Sequence, residues 1–312
     1  MADEIVGQYN DGNRAFVQAF MARGSMTLKD SKPILAAIFT AEGTATEPED
    51  VTQQDLDSYL RAATQALSAY DYEIRSAAHQ VSGHRIYSFV NSTSDPLTQI
   101  ATTRSPEELN YIKRLLDAMF ETYNTPSKEI MGVTSIQALK VVKPSRQDRD
   151  DEEGTQAAVD KGLTNTQAER LLASLIAEGW LERSKDGWHT LSTRALLELR
   201  TFLITTYNEE NADDGDWQRI KKCLACKEIV TVGQRCRNNE CNARLHDICQ
   251  SNYWKTQRDR VCPICKTKWD GRAWVGEKVI TTSEAWLTGR RRSGKQQEVV
   301  QEAAVNESDE SD

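Results

Sequence analysis

The chain has 312 residues, of which 38% are hydrophobic, and a formal net charge of -8 at pH 7. This length favours two or three domains over one, because single cores seldom grow much beyond about 200 residues. No apolar run approaches the roughly 18 residues needed to span a bilayer, and the N-terminal sequence lacks the basic flank and apolar core of a signal peptide. We therefore expect an intracellular protein without membrane contact.

Residues 1–95 predict a winged-helix domain, here called unit A. Three helical stripes come first, followed by two segments that alternate at the period of a strand. The stripes lie within residues 16–21, 34–39 and 56–67, and the strands are Tyr72–Arg75 and Ile86–Val90. Three short helices closed by a two-stranded ribbon is the element order of a winged helix.

Residues 96–207 predict a second winged-helix domain, unit B. A capping box at Ser105 and Glu108 starts its first helix. The other elements are a short apolar stretch, a helix, a hairpin with an Asp-Gly turn and a last helix, at Ile136–Val142, Thr164–Gly179, Trp180–Leu191 and about Ser192 to Tyr207. The predicted fold class is thus mainly α with small β hairpins.

Neither unit has the charge pattern of a DNA reader. A winged helix that reads DNA usually carries several Arg and Lys on its third helix, because phosphate contacts dominate affinity. Here the third helices offer Arg61 in unit A and Arg170 in unit B. We expect both units to bind protein, and generic helical packing with a hairpin is the alternative to the winged-helix interpretation.

The remaining chain divides into an acidic linker at residues 208–217, a cysteine module at residues 218–275 and a disordered tail at residues 276–312. From Trp217 to Val275, 13 Lys and Arg stand against 5 Asp and Glu, so the cysteine module is basic. The tail contains Arg290–Arg292, either a nuclear-localisation signal or a solvated basic run. Weak DNA binding by these basic segments is a further possibility.

All seven cysteines lie in the cysteine module, and with one histidine they form four pairs that have the spacing of metal ligands. The pairs are Cys223 with Cys226, Cys236 with Cys241, His246 with Cys249, and Cys262 with Cys265. In a reducing compartment cysteines stay thiols, which favours metal binding over disulfides. Eight ligands fill two closed tetrahedral zinc sites, and closed sites are structural, not catalytic.

The four pairs can be used in sequence or interleaved. Nine residues between Cys226 and Cys236, and twelve between Cys249 and Cys262, suit an interleaved cross-brace. The first zinc site is then Cys223, Cys226, His246 and Cys249, and the second is Cys236, Cys241, Cys262 and Cys265. A module this small has little core, so we expect zinc removal to unfold it.

These spacings resemble the RING superfamily, in the C4HC3 variant whose fifth ligand is histidine. The PHD finger, a reader of histone tails, shares this ligand order. Pro263 lies in a Cys-Pro-x-Cys knuckle that is common in RING domains. A PHD finger usually has Trp two residues before the seventh ligand, where this chain has Arg260. Both details favour RING over PHD.

The combination of two winged-helix-like units, an acidic linker and a RING-like module resembles the non-SMC element 1 family. Members of that family are subunits of the structural-maintenance-of-chromosomes 5/6 complex, which acts in DNA repair. The resemblance implies a chromatin-associated, nuclear RING-type E3 ubiquitin ligase with a MAGE-family partner, a kleisin-type subunit and a ubiquitin-conjugating enzyme. A non-catalytic, zinc-stabilised interaction subunit and a PHD-like reader of histone tails are the alternatives.

A RING ligase acts by positioning a charged conjugating enzyme and forms no covalent intermediate. The resemblance implies that the contact surface consists of Leu224, Ala225, Trp254, Pro263, Ile264 and the basic residue Lys266. Many active RING domains have Ile, Leu or Val at the place of Ala225, and the smaller side chain loses about 1 to 2 kcal/mol of contact. We therefore expect weak activity that a partner raises. Trp254 has core packing as its alternative role.

Overall fold

The computed structural model describes residues 9–91, 104–144, 160–210, 216–257 and 259–288. Residues 211–215 of the predicted acidic linker and the Arg290–Arg292 cluster lie outside the described residues. The described chain is helical with small antiparallel sheets. None of the helices in these ranges is long and apolar enough to cross a membrane.

Unit A packs three helices on a three-stranded sheet. Its elements are α1 (Asp11–Arg23), β1 (Ser25–Met26), α2 (Leu28–Ala41), α3 (Gln53–Leu67), β2 (Tyr72–Ala78) and β3 (Arg85–Asn91). The sheet order is β1-β3-β2, so the short strand β1 joins the outer side of the hairpin. The apolar stripes meet in one core, in which Phe16, Leu35 and Leu56 are fully buried.

Unit B repeats this order with one small ribbon inserted after its first helix. Its elements are α4 (Pro106–Asp117), β4 (Asn124–Thr125), β5 (Lys128–Glu129), β6 (Val133–Thr134), α5 (Ser135–Lys140), α6 (Asn165–Ala177), β7 (Leu181–Arg183), β8 (Trp188–Leu191), α7 (Thr193–Glu198) and α8 (Arg200–Tyr207). The sheet order β6-β8-β7 matches that of unit A. The predicted capping box of Ser105 and Glu108 starts α4.

The last helix of unit B differs from its prediction. Instead of one helix from Ser192 to Tyr207, α7 and α8 are separated at Leu199, where ψ is 4°. The bend lets α7 pack on the hairpin of unit A through Leu197, while Arg200 at the start of α8 pairs with Glu228 of the cysteine module at 3.0 Å. Tertiary contacts on both sides of Leu199 thus override the continuous helical pattern.

The cysteine module contains β9 (Gly233–Arg235), β10 (Arg244–Leu245), α9 (Asp247–Lys255) and β11 (Trp274–Val275), with sheet order β10-β9-β11. The short helix α10 (Lys278–Thr281) follows, in residues that the sequence predicts as disordered tail. Gly276 holds this segment in place, because its amide donates to the carbonyl of Glu129 in unit B at 2.8 Å.

The cysteine module is built into the helical units. Its buried residues share one continuous hydrophobic core with unit B, and Asn208 bridges the two through both hydrogen bonds to the backbone of Ile220. Unit A contributes Gln80 at its hairpin tip, whose side chain donates to the carbonyl of Ile229 and accepts from the amides of Thr231 and Val232. The three parts of the chain therefore meet around the cysteines.

Candidate metal centre

The eight predicted ligands lie in two tight groups, and within each group the ligand atoms are all within 4.8 Å of one another. One group is Cys223, Cys226, His246 and Cys249, and the other is Cys236, Cys241, Cys262 and Cys265. Pairs one and three of the sequence thus meet in space, as do pairs two and four. This is the interleaved arrangement, not the sequential one.

The first group is prepared for a metal ion by the orientation of His246. Its Nε2 lies 3.1 Å from the carbonyl oxygen of Ile229, which fixes the proton on Nε2, and its Nδ1 lies 3.3 Å from the sulfur of Cys226. The lone pair of Nδ1 therefore points at the sulfurs. Three sulfurs and one imidazole nitrogen in the first group, and four sulfurs in the second, are donor sets that suit tetrahedral zinc.

Crowding of the sulfurs also changes their acidity. The hydrogen bond between Cys223 and Cys226 lowers the pKa of the Cys223 thiol and raises that of Cys226, so the two sulfurs share one proton. When bound, zinc would supply cross-links that fold the module, and all of its coordination positions would be filled by protein.

The two Cys-x-x-Cys knuckles are copies of one another in geometry. Lys227 and Lys266 directly follow the second cysteine of each knuckle and have φ angles of 67° and 61°. Each lysine amide donates to the carbonyl of the first cysteine at 3.0 Å, and each Nζ donates to the next carbonyl, of Leu224 or Pro263, at 2.9 Å. Ala225 and Ile264 thereby occupy equivalent places at the two knuckle tips.

The knuckle tips form an exposed apolar surface, here called the knuckle surface. Ile264 is 53% exposed, Pro263 and Ala225 are exposed, and Leu224 is half-buried. Lys266 is exposed, with its Nζ folded back onto Pro263. Five of the six residues that the resemblance assigns to conjugating-enzyme contact thus lie on or beside the two knuckles.

Trp254 is the sixth, and it lies elsewhere. It is 8% exposed and packs against Trp269, with ring centroids 5.5 Å apart, so core packing describes it better than surface contact. The neighbouring Tyr253 is half-exposed, and burial together with the charges of Cys262 and Cys223 raises its pKa. Consecutive side chains on a helix point about 100° apart, so Trp254 faces the core while Tyr253 stays half-exposed.

A buried charged cluster joins the module to unit B, and sequence reasoning missed it. Glu129 at the end of β5 is fully buried among three basic side chains. These three, Lys221, Arg235 and Arg244, are here called the cation cluster. Lys221 Nζ lies 3.0 Å from the carboxylate, and Arg244 binds it with two nitrogens. The only signal in the sequence is one acidic residue before the apolar stretch that begins at Ile130.

The cation cluster contains more positive charge than Glu129 balances. Burial alone would raise the pKa of Glu129, but the hydrogen bond and charge of Arg244, with the charges of Lys221 and Arg235, outweigh burial and lower it. Burial lowers the pKa of Lys221 to about 7, against the attraction of Glu129. Lys221 also lies over the ring of Trp217, 4.1 Å from its centroid.

Comparison with known proteins gives two family matches. A family model described as the Nse1 non-SMC component of the SMC5-6 complex matches residues 13–199, and a model described as a RING-like domain matches residues 223–265. The second match agrees with the RING interpretation of the ligand spacing.

Curated relatives cover most of the chain. The Homo sapiens protein named non-structural maintenance of chromosomes element 1 homolog is 23% identical over 264 residues, which cover 85% of this chain and 86% of the relative. Non-structural maintenance of chromosomes element 1 of Schizosaccharomyces pombe is 25% identical over 228 residues, covering 73% and 82%. A solved structure titled Nse1-Nse3-Nse4 complex has a TM-score of 0.63 at 22% identity, and the match covers 84% of this chain and 97% of that one. At this identity the structural match demonstrates a shared fold.

Proposed function

This chain belongs to the family of Nse1 non-SMC components of the SMC5-6 complex, and we propose that it serves as a RING-type E3 ubiquitin ligase subunit. In this proposal the knuckle surface holds a ubiquitin-charged conjugating enzyme so that its thioester is open to a substrate lysine. The observation that carries the proposal is the pair of equivalent knuckles, which expose Ile264 and Ala225 at their tips.

The chemistry of the module is consistent with positioning alone. Both ligand groups use four protein side chains, so a bound zinc ion would offer no open position to a reacting group. The reacting thioester belongs to the conjugating enzyme, and the ligase lowers the barrier by orienting it. Lys266 would leave its bond to the Pro263 carbonyl and reach the conjugating enzyme and ubiquitin instead.

We further propose that units A and B are tandem winged helices that bind a MAGE-family subunit, in an assembly with a kleisin-type subunit. Their shared order of helix, short strand, two helices and hairpin supports this, as does the equal sheet order in both units. The similar solved structure is titled as a complex of Nse1 with Nse3 and Nse4. A role in DNA repair, a nuclear location on chromatin and domain boundaries near residues 95, 207 and 275 belong to the same proposal.

The test is single-turnover discharge of ubiquitin from a panel of charged conjugating enzymes to free lysine, with the MAGE-like partner present. We expect acceleration by the wild-type chain with at least one enzyme, and loss of about tenfold with Ile264→Ala, because that change removes apolar contact worth about 1 to 2 kcal/mol. Leu287 is the matched control, since it is 44% exposed but follows the cysteine module, outside units A and B and outside both knuckles. Leu287→Ala is expected to keep full discharge activity.

Two outcomes would count against the ligase proposal. If no conjugating enzyme is accelerated while the partner still binds, the chain is a non-catalytic interaction subunit. If Ile264→Ala and Leu287→Ala discharge ubiquitin equally fast, the knuckle surface is not the contact. Binding of a methylated histone-tail peptide instead would favour a PHD-like reader.

A further inference from the structure

We propose that the cation cluster supports the four-cysteine metal site, so that metal binding there and docking of the cysteine module on unit B stabilise each other. Glu129, Lys221, Arg235 and Arg244 would then be positioning residues for the knuckle surface. The proposal concerns this chain's own side chains, and it stands whether or not the knuckle surface binds a conjugating enzyme.

The junction between the cysteine module and unit B contains more buried positive than negative charge. Lys221, Arg235 and Arg244 have side chains that are 1%, 4% and 1% exposed, and Glu129 is fully buried. When all three basic side chains carry their protons, three cations against one carboxylate leave an excess of two positive charges in the interior. An uncompensated buried charge strongly destabilises the folded chain, so further negative charge is needed close by.

The four-sulfur group would supply that negative charge when it holds zinc. Arg244 donates to the carbonyl of Cys241 at 2.7 Å, and Arg235 donates to the carbonyl of Cys236 at 3.3 Å. Both cysteines belong to the four-sulfur group. A zinc ion with four thiolates carries a net charge of about -2, which equals the excess on the cation cluster with opposite sign.

The buried charges come from both sides of the contact between the cysteine module and unit B. Glu129 comes from unit B, whereas the three cations come from the cysteine module. Arg235 also donates to the carbonyl of Pro126 in unit B at 2.6 Å, so the same guanidinium touches both sides of the junction. Whatever neutralises the cations therefore favours the docked module, and by linkage docking favours the metal.

The experiment measures zinc affinity of the full chain by competition with a chelator. Substitution by cobalt(II) separates the two sites, because a four-sulfur site and a site with one nitrogen have different absorption bands. We expect Lys221→Met to weaken zinc binding at the four-cysteine site about tenfold, because substitutions of residues that support the ligands typically have effects of this size. Lys222→Met is the matched control, since Lys222 is exposed, and it is expected to leave both affinities unchanged.

Two further variants separate charge from shape. Lys221→Met alone leaves two cations against one carboxylate, an excess of one positive charge. Adding Glu129→Gln removes the carboxylate and restores the excess to two, so the zinc affinity of the four-cysteine site is expected to recover to within about threefold of wild type. Lys221→Arg keeps the charge and should bind as wild type does. The proposal is overturned if Lys221→Met binds zinc normally, if the double variant binds more weakly than the single one, or if Lys221→Arg loses as much affinity as Lys221→Met.

Discussion

Ala225 and Ile264 hold equivalent places at the tips of two knuckles that share their hydrogen bonds and backbone angles. Their side chains differ in size, so the knuckle surface offers much apolar area on one side and little on the other. A partner that contacts both tips therefore gains less binding free energy from the first knuckle, at Ala225, than from the second, at Ile264.

Enlarging this side chain should strengthen the contact. We predict that Ala225→Ile binds the active conjugating enzyme about tenfold more tightly, because the added apolar area contributes about 1 to 2 kcal/mol when buried. Ala225 is exposed, so the larger side chain meets solvent in the free protein and should not disturb folding. Titration of the charged enzyme in the discharge assay measures the change, and unaltered affinity would mean that the first knuckle lies outside the contact.

His79 provides a pH-dependent contact between units A and B. Its Nε2 lies 3.0 Å from a carboxylate oxygen of Glu182, and that hydrogen bond raises the pKa of His79 in spite of partial burial. A raised pKa means that the protonated form stabilises the folded chain. This contribution is complete below the unfolded value of about 6.5 and is lost as pH rises through the folded pKa.

We predict that His79→Gln costs about 0.5 kcal/mol at pH 6 and less at pH 8, the range found for partly exposed ion pairs. Urea unfolding at both pH values measures the difference. His84→Gln is the control, because His84 is exposed at the same hairpin. A cost that does not change with pH would show that the pair acts as a neutral hydrogen bond.

The role of a single residue could be predicted when the feature that determines the role lies close to the residue in sequence. The ligands could be found from spacing, because a knuckle requires two cysteines at a fixed separation. Trp254 and Tyr253 could not be told apart, since the helix phase of α9 is set by packing against Trp269. Glu129 could not be assigned at all, because its partners lie about a hundred residues further along the chain and meet it only through docking of the module.

At the scale of elements, side-chain caps define where the helices start. Thr27, Thr52, Ser105, Thr134 and Thr164 each form a capping box with the residue three positions later. These signals are local, and they make helix starts the most predictable boundaries of both units.

Thr164 allows a matched test of one such cap. We predict that Thr164→Ala destabilises unit B by about 1 kcal/mol, because the amide of Gln167 loses its acceptor. Thr166 lies two residues later on the exposed side of α6, and Thr166→Ala should be neutral or slightly stabilising. Thermal unfolding of both variants decides, and equal melting temperatures would contradict a stabilising role for the cap.

Elements that depend on distant contacts were harder to predict. The strands β1 and β6 have two residues each, too few to show a strand period, and they exist because the last strand of each hairpin offers them a partner. The bend at Leu199 arises because α7 faces unit A while α8 faces the cysteine module. Neither cause is visible in the segment itself.

For the whole molecule, the sequence predicts a cysteine module separated by an acidic linker, whereas the structure joins the module to unit B through a continuous core. Unit A keeps a separate core and reaches the module through Gln80. The two ligand groups, the docking contacts and the knuckle surface therefore form one structural unit. We expect this unit to bind two metal ions, each held by an interleaved set of ligand pairs.

The most direct measurement is anomalous diffraction at the zinc edge from crystals of the full chain. We predict two peaks, one among Cys223, Cys226, His246 and Cys249 and the other among Cys236, Cys241, Cys262 and Cys265. A single peak, peaks between sequential pairs, or disulfide-bonded cysteines would contradict the account.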